Sequence, residues 1–143
     1  MSKLEVYAKG SAEALQPNFK VSEFTCKCGS RGCHITLHDP QLSKKLQALR
    51  LLCGKAITIN SGYRCAARNE AVGGSVNSYH TRGMAADIKA KGISPEGLAR
   101  MAETVGFRGI GLYQSFVHVD TRPKKYFWNQ MTRKVVSTFQ NSK

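Results

Sequence analysis

The sequence lacks any long apolar run. Its 143 residues are 41% hydrophobic, yet no stretch approaches the roughly 18 consecutive apolar residues of a membrane-spanning helix. The first residues, MSKLEVYAKGSAEALQPNF, also lack the continuous apolar segment that a secretory signal contains. We therefore expect a chain that is synthesised in a cytoplasm without a signal peptide and that has no membrane span.

Acidic residues are scarce. The chain has 9 Asp and Glu residues against 22 Lys and Arg residues, which gives a formal net charge of +13. This positive charge attracts polyanions such as nucleic acid, anionic lipid and cell-wall polymer. The basic residues are scattered rather than interleaved with aromatic residues, so the pattern does not indicate specific nucleic-acid recognition. The length predicts one domain over residues 1–143, which we expect to be a monomer.

Histidine and cysteine are also few. A histidine-based metal site must draw on four residues, which are His34, His38, His80 and His118. The five cysteines are an odd number, so they cannot all pair in disulfides within one chain. We therefore expect free thiols in a reducing compartment.

Hydrophobic periodicity predicts helices that alternate with short strands. Asp39 and Pro40 are typical of the start of a helix, which Gly54 ends. A short helix is predicted over residues 66–71, and a longer one begins at Ser94. Strands are predicted in the segments AITIN, MAADIKA, FRGIGLY, FVHVDT and KVVSTF. The arrangement predicts a single α+β domain with an antiparallel sheet and flanking helices.

Two of these strands each present one potential metal ligand on the face that points away from the core. In FVHVD, Val117 and Val119 lie on one face, so His118 lies on the other. The same alternation in MAADIKA leaves Asp87 on the open face. We therefore expect Asp87 and His118 to face a cleft.

A third potential ligand precedes Asp87 in the chain. His80 lies in a loop in which Gly83 allows a close approach of the backbone. His80, Asp87 and His118 supply two imidazoles and one carboxylate, which suit one catalytic Zn²⁺ with an open fourth position. The same residues would equally serve as surface or hydrogen-bonding groups, so composition alone leaves both interpretations open.

Three ordered motifs resemble those of a known family. The segment SYHTRGMAAD, from Ser78 to Asp87, resembles the S-x-H-x-x-G-x-A-x-D signature of the zinc D-alanyl-D-alanine carboxypeptidase and L-alanyl-D-glutamate endopeptidase family. The upstream SGYR, which ends at Arg64, and the downstream HVD, which begins at His118, resemble two further blocks in the same order. The resemblance covers roughly residues 24–128 and includes phage endolysins of about this size.

The resemblance implies a fold shared with the hedgehog signalling domain. It implies a zinc metallopeptidase, a carboxypeptidase or endopeptidase, that hydrolyses a peptide bond in peptidoglycan stem peptide or cross-link. The zinc ligands would be His80, Asp87 and His118. Arg64 would bind a substrate carboxylate or the developing oxyanion, and its alternative role is a salt bridge that ties its turn to the sheet. Ser78 is expected to hydrogen-bond within its loop or to substrate.

One position departs from the family pattern. Several members carry an acid three residues before the last histidine ligand as a general base, and Ser115 occupies that position here. Asp120 is the nearest acid on the strand face of His118, so it is the predicted catalytic base. Its alternative role is to orient an imidazole or to pair with Arg122.

The N-terminal half contains a cluster of cysteines. Cys26, Cys28, Cys33 and His34 could hold a second, structural zinc, because thiolate and imidazole are its usual ligands. Their spacing lacks the familiar paired C-x₂-C knuckles, which weakens this interpretation. Cys65 follows Arg64 and is expected to be structural.

Aromatic residues are frequent near the C terminus. They include Tyr113, Tyr126, Phe127 and Trp128. Such residues would either line the cleft or close the core around the last strands. The core is the commoner outcome, so we do not assign them to the site.

These features together predict a phage-type endolysin that is made in the host cytoplasm and acts on the peptidoglycan of the cell wall. Two alternatives come from other functional classes. One is a non-catalytic, zinc-containing wall-binding module of the same fold, which the missing acid before His118 supports. The other is a basic nucleic-acid-binding protein, which would show a salt-sensitive affinity for DNA and no effect on sacculi.

Overall fold

A computed structural model describes residues 3–29 and 32–140, so residues 1, 2, 30, 31 and 141–143 of the predicted domain lie outside it. The described helices are α1 (Pro40–Cys53), α2 (Ala66–Ala71) and α3 (Pro95–Thr104). None of these helices has the length and apolar character needed to cross a membrane. The described strands are β1 (Glu5–Ala8), β2 (Ala14–Gln16), β3 (Phe19–Lys20), β4 (Ile35–His38), β5 (Ile57–Ser61), β6 (Ala85–Ala90), β7 (Gly109–Leu112), β8 (Val117–Asp120), β9 (Tyr126–Asn129) and β10 (Lys134–Val136). The predicted α+β fold is confirmed.

Within the described residues, six strands form the main sheet in the order β10, β9, β7, β8, β6, β5. Neighbouring strands are antiparallel except β7 and β9, which are parallel. The exception follows from the topology, because β7 and β8 form a hairpin and β6 occupies the other edge of β8. Strand β9 therefore adds to the open edge of β7 and runs in the same direction as β7. The predicted antiparallel sheet is correct apart from this one pair.

Local sequence signals set the ends of the two longer helices. Asp39 Oδ1 accepts a hydrogen bond from Gln41 N at 3.0 Å where α1 begins, and Gly54 ends the helix with a φ of +67°. Ser94 Oγ accepts a hydrogen bond from Gly97 N at 3.1 Å where α3 begins. Both helices pack on one face of the main sheet, and the opposite face remains available for a site. The core between helices and sheet includes Leu42, Leu46, Leu49, Ile88, Leu98, Ala102, Ile110, Val117 and Val119.

The first forty residues form two small antiparallel pairs that the sequence did not predict. Strand β1 pairs with β4, and β2 pairs with β3. Most of β1 is exposed on both of its faces, so it lacks the apolar alternation by which strands are recognised in a sequence. After β3, a 3-10 turn over Val21–Phe24 carries Phe24 into the core.

His38 on β4 is a buried histidine in an apolar environment. Its ring packs edge-on against Phe24, with the ring centroids 4.9 Å apart. Neither ring nitrogen has a hydrogen-bond partner within the described residues. Burial lowers the pKa of His38 to about 4. As the pH falls below about 6.5, the pKa of an ordinary histidine, the unfolded chain therefore binds a proton at His38 that the folded state does not bind.

Because His38 takes up a proton in the unfolded state, we expect the free energy of unfolding to fall by about 2 kcal/mol as the pH falls from about 7 to about 5. A lowered histidine pKa stabilises the fold fully above the pKa of the unfolded state, and this contribution disappears as the pH falls towards the folded pKa. Urea denaturation at both pH values measures the loss. The His38→Leu variant is the matched comparison because it has no proton to bind, and an equal loss in both proteins would contradict the assignment.

Candidate metal centre and cleft

Strands β6 and β8 bring two polar residues to the same point of the main sheet. Asp87 on β6 pairs directly with His118 on β8. Val117 and Val119 are fully buried in the core, so His118 points to the opposite face, where a cavity lies. Ile88, next to Asp87, is also buried in the core, and Asp87 lines the same cavity. The alternation predicted from the sequence is confirmed in both strands.

The loop before β6 carries His80 to the same cavity. The 3-10 turn over Tyr79–Arg82 contains it, and Ser78 Oγ accepts a hydrogen bond from His80 N at 3.2 Å. Ser78 thus bonds within its loop, which is one of its two predicted roles, and it also lines the cavity. Gly83 ends the turn with a φ of +70°, and a Cβ there would lie 2.3 Å from the Leu37 carbonyl oxygen. Only glycine fits this position.

Three side-chain donors converge in the cavity. Asp87 Oδ1 lies 3.2 Å from His80 Nε2 and 3.1 Å from His118 Nδ1, and one donor atom from each residue lies within 4.8 Å of the others. The second nitrogen of each histidine ring forms a hydrogen bond with a group outside these three side chains. His80 Nδ1 donates to Gly62 O at 2.8 Å, and His118 Nε2 donates to Asp120 Oδ2 at 2.7 Å. Two imidazoles oriented in this way, with a carboxylate, form a donor set that fits zinc.

The charges of these side chains depend strongly on one another. Burial would raise the pKa of Asp87, but hydrogen bonds with His118 and His80 outweigh it and hold the pKa below its usual range. Burial would lower the pKa of His118, but hydrogen bonds with Asp120 and Asp87 raise that pKa to about 9. Both contacts favour the protonated ring of His118 when no metal is bound. A metal ion would have to displace this proton, because a ligating imidazole is neutral.

Asp120 lies behind His118 and has no exposed surface. Arg122 contacts both carboxylate oxygens, through Nε to Oδ1 at 2.8 Å and through Nη2 to Oδ2 at 2.6 Å. Burial would raise the pKa of Asp120, but hydrogen bonds with Arg122 and His118 lower it to about 2. The carboxylate is therefore ionised and paired, and its path to the cavity runs through the ring of His118.

Gly109 on β7 provides the space for this carboxylate. Gly109 is the cross-strand partner of Asp120, and a Cβ at Gly109 would lie 1.9 Å from Asp120 Oδ1. The carboxylate cannot move aside without losing its hydrogen bonds with Arg122 and His118. Glycine at position 109 on β7 is therefore needed for the Asp120 carboxylate to occupy its position behind His118.

We expect Gly109→Ala to lower the free energy of unfolding by about 2 kcal/mol, which is a usual cost of overpacking a filled interior. Chemical denaturation measures the change. Gly29→Ala is the matched control, because a Cβ at Gly29 meets no atom within 4 Å. Wild-type stability in the Gly109→Ala variant would show that Asp120 is not held in the position described.

Arg64 lies at the side of the cavity and contacts Asp87. Its Nη2 donates to Asp87 Oδ2 at 3.1 Å, and its Nε donates to Ser61 Oγ at 3.0 Å. The predicted salt bridge to the sheet is present, and Arg64 also lines the cavity. Its Nη1 donates to Asn69 Oδ1 at 3.2 Å, and Asn69 Nδ2 donates to the Ser75 carbonyl at 2.7 Å. Sequence reasoning missed Asn69, because a single amide on a short helix gives no signal of its own.

The cavity has a volume of about 500 Å³ and two different walls. The loop between α2 and the 3-10 turn forms much of one wall. Tyr113, Phe116 and Trp128 contribute to the other wall. Tyr113 and Phe116 stack with ring centroids 4.4 Å apart. An extended peptide entering this cavity would meet polar backbone on one side and aromatic rings on the other.

Strand β9 divides the C-terminal aromatic residues between core and cavity. Phe127 is buried in the core, whereas Trp128 points to the cavity, because successive side chains on a strand alternate. The Trp128 ring centroid lies 5.2 Å from that of His118. Gly111 leaves room for it, since a Cβ there would lie 2.4 Å from the Trp128 ring. Of the two roles considered for the four aromatics, Phe127 closes the core and Tyr113 and Trp128 line the cavity, whereas Tyr126 is exposed and lies outside this lining.

The cavity lining is poor in acids. Asp87 supplies the one carboxylate among the described residues that line it. Ser115, where an acid would be expected from the family pattern, is exposed and lies outside this lining. An additional carboxylate for proton transfer is therefore not provided from that position.

A comparison with known families decides the family of the chain. The family model described as Peptidase M15 matches residues 17–120. The chain belongs to the peptidase M15 family. The match confirms the family resemblance drawn from the three motifs. It spans all of the predicted site residues, which are Arg64, Ser78, His80, Asp87, His118 and Asp120.

Three curated relatives illustrate the similarity. The peptidoglycan L,D-endopeptidase MepK of Escherichia coli (strain K12) is 34% identical over 98 residues, which are 62% of this chain and 54% of the relative. The probable peptidoglycan L,D-endopeptidase MepK of Haemophilus influenzae is 33% identical over 95 residues, 59% of this chain and 51% of the relative. The zinc D-Ala-D-Ala carboxypeptidase of Streptomyces albus G is 45% identical over 67 residues, 46% of this chain and 26% of the relative. The chain thus spans about half the length of the MepK proteins it matches.

Proposed function

We propose that this chain is a zinc metallopeptidase that hydrolyses a peptide bond in the stem peptide or cross-link of peptidoglycan. The observation that carries the proposal is the convergence of His80 Nε2, Asp87 and His118 Nδ1 in one cavity of a peptidase M15 chain. Relatives named as peptidoglycan endopeptidases and as a zinc carboxypeptidase support the substrate and the metal. The three donors would hold one zinc ion.

The residues around the proposed ligands keep them in place. When bound, zinc lowers the pKa of a water molecule towards about 7 and polarises a carbonyl group. The Gly62 carbonyl and Asp120 fix the orientations of His80 and His118, so the donors keep their positions when substrate enters. Trp128 lies against His118 and offers an apolar surface to the peptide.

Arg64 is the proposed substrate-binding residue. Its guanidinium is held by Ser61, Asn69 and Asp87 at the side of the cavity. A charged planar group fixed in this way can bind a substrate carboxylate or stabilise negative charge that develops on the carbonyl oxygen. We propose that the exposed edge of Arg64 does one of these, with Ser78 beside it as a further polar contact.

We propose that Asp120 is a positioning residue that acts through His118. Both of its oxygens are already bound, and it has no exposed surface. Any proton that Asp120 exchanged with the cavity would have to pass through the imidazole. The other role predicted for Asp120, direct general base, would require a route to the reacting water that this burial does not offer.

The Asp120→Asn variant distinguishes these two roles. A positioning role predicts that the Kd for zinc rises about 10- to 100-fold, and that excess zinc restores most of the rate. A general-base role predicts the opposite, an unchanged Kd with a rate loss that zinc does not restore. Competition with a chelator gives the Kd, and hydrolysis at several zinc concentrations gives the rate. Ser115→Ala is the control, because Ser115 lies outside the cavity lining.

We further propose that the chain acts on the cell wall as a monomeric endolysin of the phage type. Its net charge of +13 supports attraction to anionic wall polymers. A second candidate function, a wall-binding module without hydrolysis, is favoured by one observation, the scarcity of acids in the cavity. Both functions predict binding to sacculi, and they differ in whether a bond is broken.

Hydrolysis of defined muropeptides tests the proposal. We expect the protein to release new amino groups, to stop when a chelator is added and to resume when zinc is restored. Mass spectrometry of the fragments identifies the bond that is cut. Binding to sacculi without new amino groups at saturating zinc would reject the peptidase and leave the wall-binding module.

A further inference from the structure

Four of the five cysteines lie together beside the turn that ends at Arg64. The sulfur atoms of Cys26, Cys28, Cys33 and Cys65 all lie within 4.8 Å of one another. Cys26 Sγ is 3.6 Å from Cys65 Sγ, although the two residues are 39 positions apart in the chain. No cysteine of the chain forms a disulfide, and all five lie in the described residues.

The separations between the sulfurs suit a tetrahedral metal ion. Four thiolates at about 2.3 Å from a zinc ion place neighbouring sulfurs about 3.8 Å apart. The 3.6 Å between Cys26 and Cys65 is close to this value. Thiols alone have little reason to gather, because the S–H group is a weak donor and sulfur is a weak acceptor.

Hydrogen-bond donors surround the sulfurs as they would surround thiolates. The Cys65 backbone N–H donates to Cys26 Sγ at 3.4 Å. Lys9 Nζ lies 3.5 Å from Cys28 Sγ and 3.3 Å from the Cys28 carbonyl oxygen. Four thiolates around a divalent cation carry a net charge of −2, and a lysine and an amide oriented towards sulfur stabilise that charge.

We propose that Cys26, Cys28, Cys33 and Cys65 bind a structural Zn²⁺ that is separate from the metal at His80, Asp87 and His118. The site is closed, because all four positions around the ion are protein ligands. The grouping corrects the set considered from the sequence, in which His34 was the fourth ligand. His34 is exposed and does not belong to the group, and Cys65 takes its place.

The site joins two segments that hold Arg64. Cys26 follows the 3-10 turn over Val21–Phe24, and Cys65 is the residue directly before α2. The Tyr63 N–H also donates to the Phe24 carbonyl at 2.9 Å. A metal at this point therefore fixes both sides of the turn that ends at Arg64, and its loss would loosen that side chain.

Zinc content, measured by mass spectrometry of the metal in purified full-length protein, tests the site. We expect two zinc ions per chain in the wild type and one in the Cys65→Ser variant. Cys53→Ser is the matched control with two ions, because Cys53 lies at the end of α1 outside the cluster. The His80→Ala, His118→Ala double variant should retain one ion. Two ions in Cys65→Ser would overturn the proposal.

Cobalt substitution keeps the test independent of whether cysteine variants fold. In the His80→Ala, His118→Ala protein all four cysteines are intact, and Co²⁺ bound there should show thiolate-to-cobalt charge-transfer absorption. Thiol modification with a mercurial reagent should then release the metal. Absence of this absorption, or intramolecular disulfides among the four cysteines in protein purified without exposure to oxidants, would overturn the structural zinc. Neither outcome depends on hydrolysis, so this site and the peptidase proposal can fail separately.

Discussion

His118→Ala is expected to lower the rate of hydrolysis by on the order of a thousandfold and to remove one zinc ion per chain. The substitution deletes one of three converging donors and leaves Asp87 with a single imidazole neighbour, His80. It also leaves Asp120 without its ring partner, so the Arg122 pair alone neutralises that buried carboxylate.

The control for this variant is His34→Ala, since His34 is an exposed histidine away from the cavity. Steady-state hydrolysis of a defined muropeptide and zinc content are measured on the same preparations, with circular dichroism as a check on folding. A folded His118→Ala protein that keeps its rate and its zinc would contradict the proposed ligand set.

Arg64→Lys is expected to lower kcat/KM by about a hundredfold while zinc content stays the same. Lysine preserves the charge but not the planar fork of donors, so it cannot contact Ser61, Asn69 and Asp87 at once. The ammonium group would therefore not be held at the side of the cavity. The loss should be largest for substrates that present a free carboxylate if Arg64 binds that group.

Arg68→Lys is the matched control, because it makes the same exchange on α2 outside the cavity lining. Rates at several substrate concentrations separate kcat from KM. An unchanged kcat/KM in the Arg64→Lys variant would contradict the proposed substrate-binding role and leave the salt bridge with Asp87 as the role of Arg64.

The parts of the fold that the sequence predicts are those determined by local signals. The Asp39 cap and Gly54 determine the ends of α1 without help from distant residues. Alternation within VHVD directs His118 away from the core, because the two valines need burial. The family motifs group His118 with Asp87 and His80, which local patterns alone cannot do.

The parts that sequence reasoning missed depend on contacts between distant segments. Cys65 is separated from Cys33 by two strands and a helix, so spacing could not show that they meet. Alternation along β9 distinguishes two faces but does not say which face Trp128 takes. The space for the Asp120 carboxylate likewise depends on Gly109 of the neighbouring strand, whereas the pairing of Asp120 with Arg122, two residues further on, was among the roles considered from the sequence.

The most direct test of the central claim is anomalous diffraction at the zinc absorption edge from crystals of the wild-type protein grown with zinc. We predict a peak about 2.0–2.2 Å from His80 Nε2, His118 Nδ1 and a carboxylate oxygen of Asp87. A fully ordered cavity with no anomalous peak between these three side chains would contradict it.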